Sequence, residues 1–306
     1  MFEILFLGTS ASAPSAHRGL SSHIISHNEY RFLVDCGEGT QRQILQSGKG
    51  FKRLTRALIT HGHLDHILGL AGLLSTFLRW EAIEEFEVYG SKGALERIHT
   101  LLYDVVLRGK KTPMPLRLVE IKPGVVFEAE DFTVSAFPVS HGRADSLGYI
   151  FEEKARRPFL SEKADALGVP FGPERKKLVN GESITLADGK RITPDDVLGD
   201  WERGSKLVLV GDTGRADTLV EVCKNADALV IEATYLDEES EMAEQFSHLT
   251  AKMGAELAQK AGVNLLILTH ISRRYRGKDV LAEAQTVFSN TVVARDFDTF
   301  VIKKEI

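Results

Sequence analysis

Three imidazoles and one carboxylate fall within six residues, His61-Gly62-His63-Leu64-Asp65-His66. Donors of this kind suit a borderline cation such as Zn²⁺. The cluster directly follows the apolar run Ala57-Leu58-Ile59-Thr60. In an extended loop, residues i and i+2 point to one side while i+4 and i+5 reach a neighbouring position. Four donors also exceed what one tetrahedral ion takes from so short a stretch, so two metal ions are expected. Three further apolar runs end on residues of the same type: Phe132 to Val139 leads to Ser140-His141, Lys206 to Val210 to Gly211-Asp212, and Leu265 to Thr269 to His270. That placement is expected where parallel or mixed strands converge on one rim of a sheet.

The elements that must position these residues follow from periodicity. Short β-branched and aliphatic runs at 3–7, 32–34, 57–60, 132–139, 206–210, 228–231 and 265–269 read as strands, most of them buried. Ile67 to Arg79 carries apolar residues at 67, 68, 70, 73, 74, 77 and 78, which predicts a helix. A second is predicted over Thr250 to Lys260, with Gly262 as its stop. The class is therefore α/β or α+β. Residues 152–203 lose clean periodicity, gather turn formers and carry ten Lys and Arg against eleven Asp and Glu. Such an excursion reads as a protruding module, a partly ordered arm or an elaborate surface loop.

The motif His61-x-His63-x-Asp65-His66, followed in order by His141, Asp212 and His270, resembles the metallo-β-lactamase superfamily, whose fold is an αββα sandwich with a dinuclear metal site at one edge. The resemblance narrows to the ribonuclease Z family through Leu7-Gly8-Thr9-Ser10, Val34-Asp35-Cys36-Gly37-Glu38-Gly39-Thr40-Gln41, Glu232-Ala233-Thr234, Ser247-His248-Leu249-Thr250-Ala251 and Thr269-His270-Ile271-Ser272-Arg273-Arg274-Tyr275. These motifs extend over nearly the whole chain. The resemblance implies one metallo-β-lactamase-fold domain over 1–306, with an inserted tRNA-binding exosite arm at 152–203. It also implies a zinc-dependent endoribonuclease that removes the 3′ trailer of precursor tRNA, leaving a 3′-hydroxyl on the tRNA and a 5′-phosphate on the trailer.

By the same resemblance, His61, His63 and His141 hold one zinc, Asp65, His66 and His270 hold the other, and Asp212 bridges them. The expected cofactor is two zinc ions per subunit, with manganese as an alternative. Two cations roughly 3.5–4 Å apart lower the pKa of a shared water and clamp both sides of an in-line displacement at phosphorus. Asp65 doubles as proton acceptor. His248, just before the helix near Thr250, stabilises the transition state or protonates the leaving oxygen, with Glu232 orienting its other nitrogen. Asp35 reads as a brace for the metal loops.

The arm contains Phe171-Gly172-Pro173, similar to the glycine-proline element of the family's exosite. Its clusters Arg156-Arg157 and Arg175-Lys176-Lys177 are candidate phosphate contacts, as is Arg273. The family loop Pro-x-Lys-x-Arg-Asn is here Pro14-Ser15-Ala16-His17-Arg18-Gly19, which keeps Arg18 as a candidate substrate contact but replaces lysine and asparagine by Ala16 and Gly19. His17, His23 and His27 have no role assigned, and His99 reads as structural.

Composition bounds these readings. The chain has 306 residues, 43 % hydrophobic and 26 % charged, and a net charge of −5, which excludes a broadly basic nucleic-acid binder. No window approaches a membrane span, and Met1-Phe2-Glu3 lacks the basic flank of a signal peptide, so a cytoplasmic protein is expected, a homodimer by family resemblance. Two cysteines, Cys36 and Cys223, exclude a four-thiolate zinc site within one chain and read as buried apolar residues. Two rivals stay open: a small-substrate phosphodiesterase on the same fold, and a non-catalytic tRNA-binding protein with structural metals.

Overall fold

The computed structural model describes residues 1–80 and 83–304. Its frame, over Met1–Glu152 and Ser205–Ile306, contains two seven-stranded sheets. The first runs in the spatial order Thr299–Ile302, Phe2–Gly8, Ser22–His27, Tyr30–Val34, Arg56–Leu58, Phe86–Gly90 and Leu116–Glu120. The second runs Thr291–Val293, Leu265–Thr269, Ala228–Glu232, Lys206–Leu209, Ala144–Glu153, Phe132–His141 and Gly124–Glu128.

Strand alternation explains the layers. Phe2, Ile4 and Phe6 point into a core shared by the two sheets, where they meet Phe132, Tyr149, Phe151 and Val230. Leu5 and Leu7, one residue out of phase, point to the opposite face, which Leu70, Leu73, Leu74 and Phe77 cover from the helix Gly69–Trp80. In the second sheet Leu229 and Ile231 pack outward against Ala251, Ala255 and Ala258 of the helix Ala251–Ala261. Both faces of the central strands are thus buried, which is why those strands read as continuous apolar runs. The result is an αββα sandwich. Cys36 and Cys223 are fully buried. No described helix is long and apolar enough to cross a membrane.

The expected helices end where their caps allow. Thr250 accepts from the Met253 N–H and starts the second one, and Gly262 closes it at φ +65°. The first is split: Leu64–Ile67 forms a separate turn, and the long helix starts only at Gly69. A Cβ on Gly69 would stand 2.0 Å from the Gly37 carbonyl oxygen, so backbone approaches backbone there.

Residues Glu153–Gly204 form a compact unit of their own. Helices Ser161–Ala166, Pro173–Val179 and Pro194–Val197 and the hairpin Ile184–Thr185/Arg191–Ile192 enclose Ala164, Val169, Leu178, Ile192 and Val197. Elements of two to seven residues are too short to show a period, which explains the irregular sequence. Arg175, expected as a phosphate contact, is instead turned inward. It pairs with Asp165, donates to the Val169 carbonyl at 2.9 Å and stacks 3.7 Å over the Phe171 ring. Arg157 likewise donates to the Gly199 carbonyl at 2.7 Å and pairs with Asp195. Lys176 and Lys177 are exposed, the latter 3.7 Å from Glu174.

Candidate metal centre

Four strands of the second sheet deliver the site. Lys206–Leu209, Ala228–Glu232 and Leu265–Thr269 pair in parallel, and Phe132–His141 joins the same direction through its two-residue turn into Ala144–Glu153, which is antiparallel to Lys206–Leu209. Their carboxyl ends carry Asp212, Glu232, His270 and His141. The first sheet contributes Asp35 after Tyr30–Val34 and His61 after Arg56–Leu58. The two sheet edges touch here. The Tyr149 hydroxyl donates to the Ile59 carbonyl at 2.7 Å, and a Cβ on Gly211 would lie 2.8 Å from Thr60, so only glycine fits.

Three groups of candidate donors result, and two of them share Asp212; the third is Glu232, His248 and His270. His61, His63, His141 and Asp212 offer atoms within 4.8 Å of one another, as do Asp65, His66, Asp212 and His270; Asp212 belongs to both. One Asp212 oxygen lies 3.7 Å from His61 Nε2 and 3.3 Å from His66 Nε2, and the other lies 3.4 Å from His270 Nε2. Asp65 Oδ2 stands 3.5 Å from His270 Nε2 and accepts the Ser12 N–H at 3.0 Å. The hexapeptide is not extended throughout. His61 to His63 are, but the His66 N–H bonds back to the His63 carbonyl at 3.1 Å, and this helical turn is what brings Asp65 and His66 round to Asp212.

The other face of each buried ring is fixed. His66 Nδ1 donates to Asp35 Oδ2 at 2.7 Å, and Asp35 also accepts from the Thr60 N–H and hydroxyl, each at 2.8 Å. Thr60 Oγ1 in turn lies 3.1 Å from His61 Nδ1. His141 Nδ1 donates to the Ser247 carbonyl at 2.8 Å, and His270 Nδ1 lies 3.1 Å from Thr234 Oγ1. With Nδ1 engaged, each Nε2 is turned to the centre, where it could ligate a cation.

Whether these residues suit a metal can be judged from their unmet demands. Nε2 of His61, His66 and His270 is buried and has no hydrogen-bond partner, an expensive condition for three neighbouring atoms. Burial, with the neighbouring His66, holds His61 well below the ordinary imidazole value. Burial opposes charge on His66 too, yet Asp212 and Asp35 outweigh it and raise His66 well above that value. Asp212, despite its burial, is held well below the carboxylate range by His270 and His66. Buried imidazole nitrogens without partners around a shared carboxylate fit a divalent cation of imidazole-binding type, which would take the place of the His66 proton.

Beside the two groups that share Asp212, Glu232 accepts from the Thr213 N–H at 2.7 Å, from Thr234 Oγ1 at 2.5 Å and from His248 Nδ1 at 2.9 Å. Burial lowers the proton affinity of His248, but Glu232, with Asp212 and Asp65 behind it, pushes it up to about 9. His23, without an assigned role in the sequence, is buried behind His66 and His270, and burial drives it down to about 3. Its Nδ1 also lacks a partner.

Residues 30–203 match the beta-lactamase superfamily domain. Over 302 residues the chain is 47 % identical to a ribonuclease Z of Bradyrhizobium sp. (strain ORS 278), covering 99 % of this chain and 100 % of that protein. The chain belongs to the ribonuclease Z family. It is 41 % identical to the ribonuclease Z of Listeria innocua serovar 6a, covering 98 % of this chain and 99 % of the relative. Its structure matches human tRNase Z, short form (ELAC1), with a TM-score of 0.68 at 25 % identity over 98 % of this chain and 99 % of the other.

The two basic candidates outside residues 153–204 differ. Arg18 is committed internally. It donates to Thr9 Oγ1 at 2.6 Å and to the Ala294 carbonyl at 2.7 Å, while Asp296 takes the Gly19 N–H at 2.6 Å, so Arg18 anchors its loop and is not a free substrate contact. Arg273 is exposed. The remaining histidines have partners elsewhere or reach solvent: His27 bonds Asp131 at 2.8 Å, His99 stacks on Tyr103 and His17 is exposed.

Proposed function

We propose that this ribonuclease Z-family hydrolase cuts precursor tRNA on the 3′ side, leaving a 3′-hydroxyl on the tRNA and a 5′-phosphate on the trailer. The observation that carries this reading is the pair of donor groups sharing Asp212, its buried Nε2 atoms without partners, within a chain alignable end to end with ribonucleases Z.

In this reading His61, His63, His141 and Asp212 would hold one zinc ion, and Asp65, His66, His270 and Asp212 the second. Bound divalent ions supply Lewis-acid charge at a phosphoryl oxygen and a more acidic water. The protein's own groups do the rest. Asp65, fixed by the Ser12 N–H, accepts the proton of the attacking water. His248, kept protonated by Glu232, donates from Nε2 to the departing 3′-oxygen. A structural-metal tRNA binder would not need a charged imidazole, held by Glu232, beside the donor groups. Zinc is supported by the histidine-rich donor set. The homodimer rests on family resemblance, and the exosite role of 153–204 adds to that the exposed Lys176 and Lys177.

The test is incubation of the purified protein with a 3′-extended tRNA, with and without chelator, mapping both product ends. Chelator-sensitive cutting at the trailer junction with the stated ends is expected. Cleavage of a small phosphodiester with the precursor left intact would replace this reading by the small-substrate one.

A further inference from the structure

Beside the donor groups a cavity of about 550 Å³ is lined by His63 and His141 and by the exposed Arg97, Arg143 and Phe246. That volume is in the range of a site for one small ligand. Arg97 and Arg143 are exposed and make no side-chain hydrogen bond or ion pair among the described residues, and the lining holds one carboxylate, Asp145. On a chain of net charge −5, two uncommitted guanidiniums beside the candidate centre are a local positive field aimed at an anion.

Phe246 is 53 % exposed, although the backbone around it is pinned. It ends the helix Ser240–Phe246, and Ser247 follows at φ +58°, where a side chain is strained. The His248 N–H closes the helix on the Ala243 carbonyl at 2.8 Å, the Ser247 carbonyl takes His141 Nδ1, and His248 itself is tied to Glu232. A phenyl ring is therefore presented to water from a pinned backbone two residues before the candidate acid. An exposed aromatic sharing a cleft with cations is the arrangement that binds single-stranded nucleic acid, the ring stacking on a base and the cations on the backbone.

We propose that this cleft seats one unpaired nucleotide flanking the scissile phosphate, its base on Phe246 and its phosphate oxygens on Arg97 and Arg143. The inference rests on the ribonuclease reading above. The nucleotide lies either 5′ or 3′ of the cut, and the two positions share this chemistry.

Cleavage is compared on three precursors: intact, abasic at the nucleotide 5′ of the cut, and abasic at the nucleotide 3′ of it. Phe246→Ala raises KM on the intact precursor about ten- to hundredfold, with a smaller change in kcat, while Phe246→Trp stays near wild type. On one abasic precursor the wild type already shows the higher KM and Phe246→Ala adds nothing, which identifies the seated nucleotide. Arg143→Ala raises KM and flattens the dependence on log salt by about one. Metal content and melting midpoint report whether each variant is folded. A penalty from Phe246→Ala that is equal on all three precursors, or absent, overturns the proposal. Failure of the wild type to cut any precursor overturns the ribonuclease reading itself, and the nucleotide seat with it.

Discussion

His248 Nδ1 stands 2.9 Å from Glu232 Oε2, and the same carboxylate is bound to Thr234, whose hydroxyl meets His270 Nδ1 at 3.1 Å. One buried acid thereby fixes both the proposed proton donor and one ring of the donor groups. Its loss is felt on two sides, whereas loss of the His248 ring is felt on one.

Replacing His248 by Ala is expected to keep the full metal content and lower kcat by about 10²- to 10⁴-fold, the usual contribution of a general acid. Metal analysis beside the rate decides. Loss of metal in this variant would make His248 a ligand.

The pair also sets a pH dependence. The folded value of about 9 exceeds the ordinary 6.5, so the charged ring contributes stability that is full below about pH 6.5 and is lost as pH rises through about 9. Melting midpoints of wild type and His248→Ala should therefore converge between those limits. Cleavage by the wild type should fall above about pH 9, where the proton to be donated is gone.

Asp35 and Asp212 touch the same ring, His66, from opposite sides. Asp212→Ala removes the carboxylate common to both donor groups and should abolish cutting. Asp35→Asn leaves the donors in place but loosens His66, with an expected ten- to hundredfold weaker metal affinity. Titration of both variants with zinc, followed by cleavage at saturating metal, separates them: only the Asp35 variant recovers.

The basic residues of 153–204 divide by burial. Lys176→Ala with Lys177→Ala should weaken precursor binding and reduce its salt slope by about two, with an unchanged melting profile. Arg175→Ala should lower the melting temperature of that unit and leave the salt slope nearly as it was, because its guanidinium holds Asp165, Val169 and Phe171.

Much of this architecture is legible in the residues because apolar runs buried on both faces must be strands, and donors recur at their ends. Leu265 to Thr269 reads as a strand and is one, and His270 follows it into the site. What the sequence hides is pairing across long separations. Arg18 looks like a free cation until Ala294 and Asp296 close on its loop, and Arg175 looks like its lysine neighbours until Asp165 is seen to take it. The Ser247 carbonyl beneath His141 has no signal at all, since any residue offers a carbonyl. The helical turn at Leu64–Ile67 is hidden for another reason: four residues carry no period.

The small apolar core of residues 153–204 has a thermal consequence. A cluster of seven buried side chains, led by Ala164, Leu178 and Val197, encloses far less apolar surface than the sheets do. Such a unit opens at lower free energy than the frame and exchanges its amide hydrogens sooner. With the proposed exosite role, warming would release grip on a large RNA before it disturbs the chemistry, so that a heated sample would pass through a state able to hydrolyse but slow to capture.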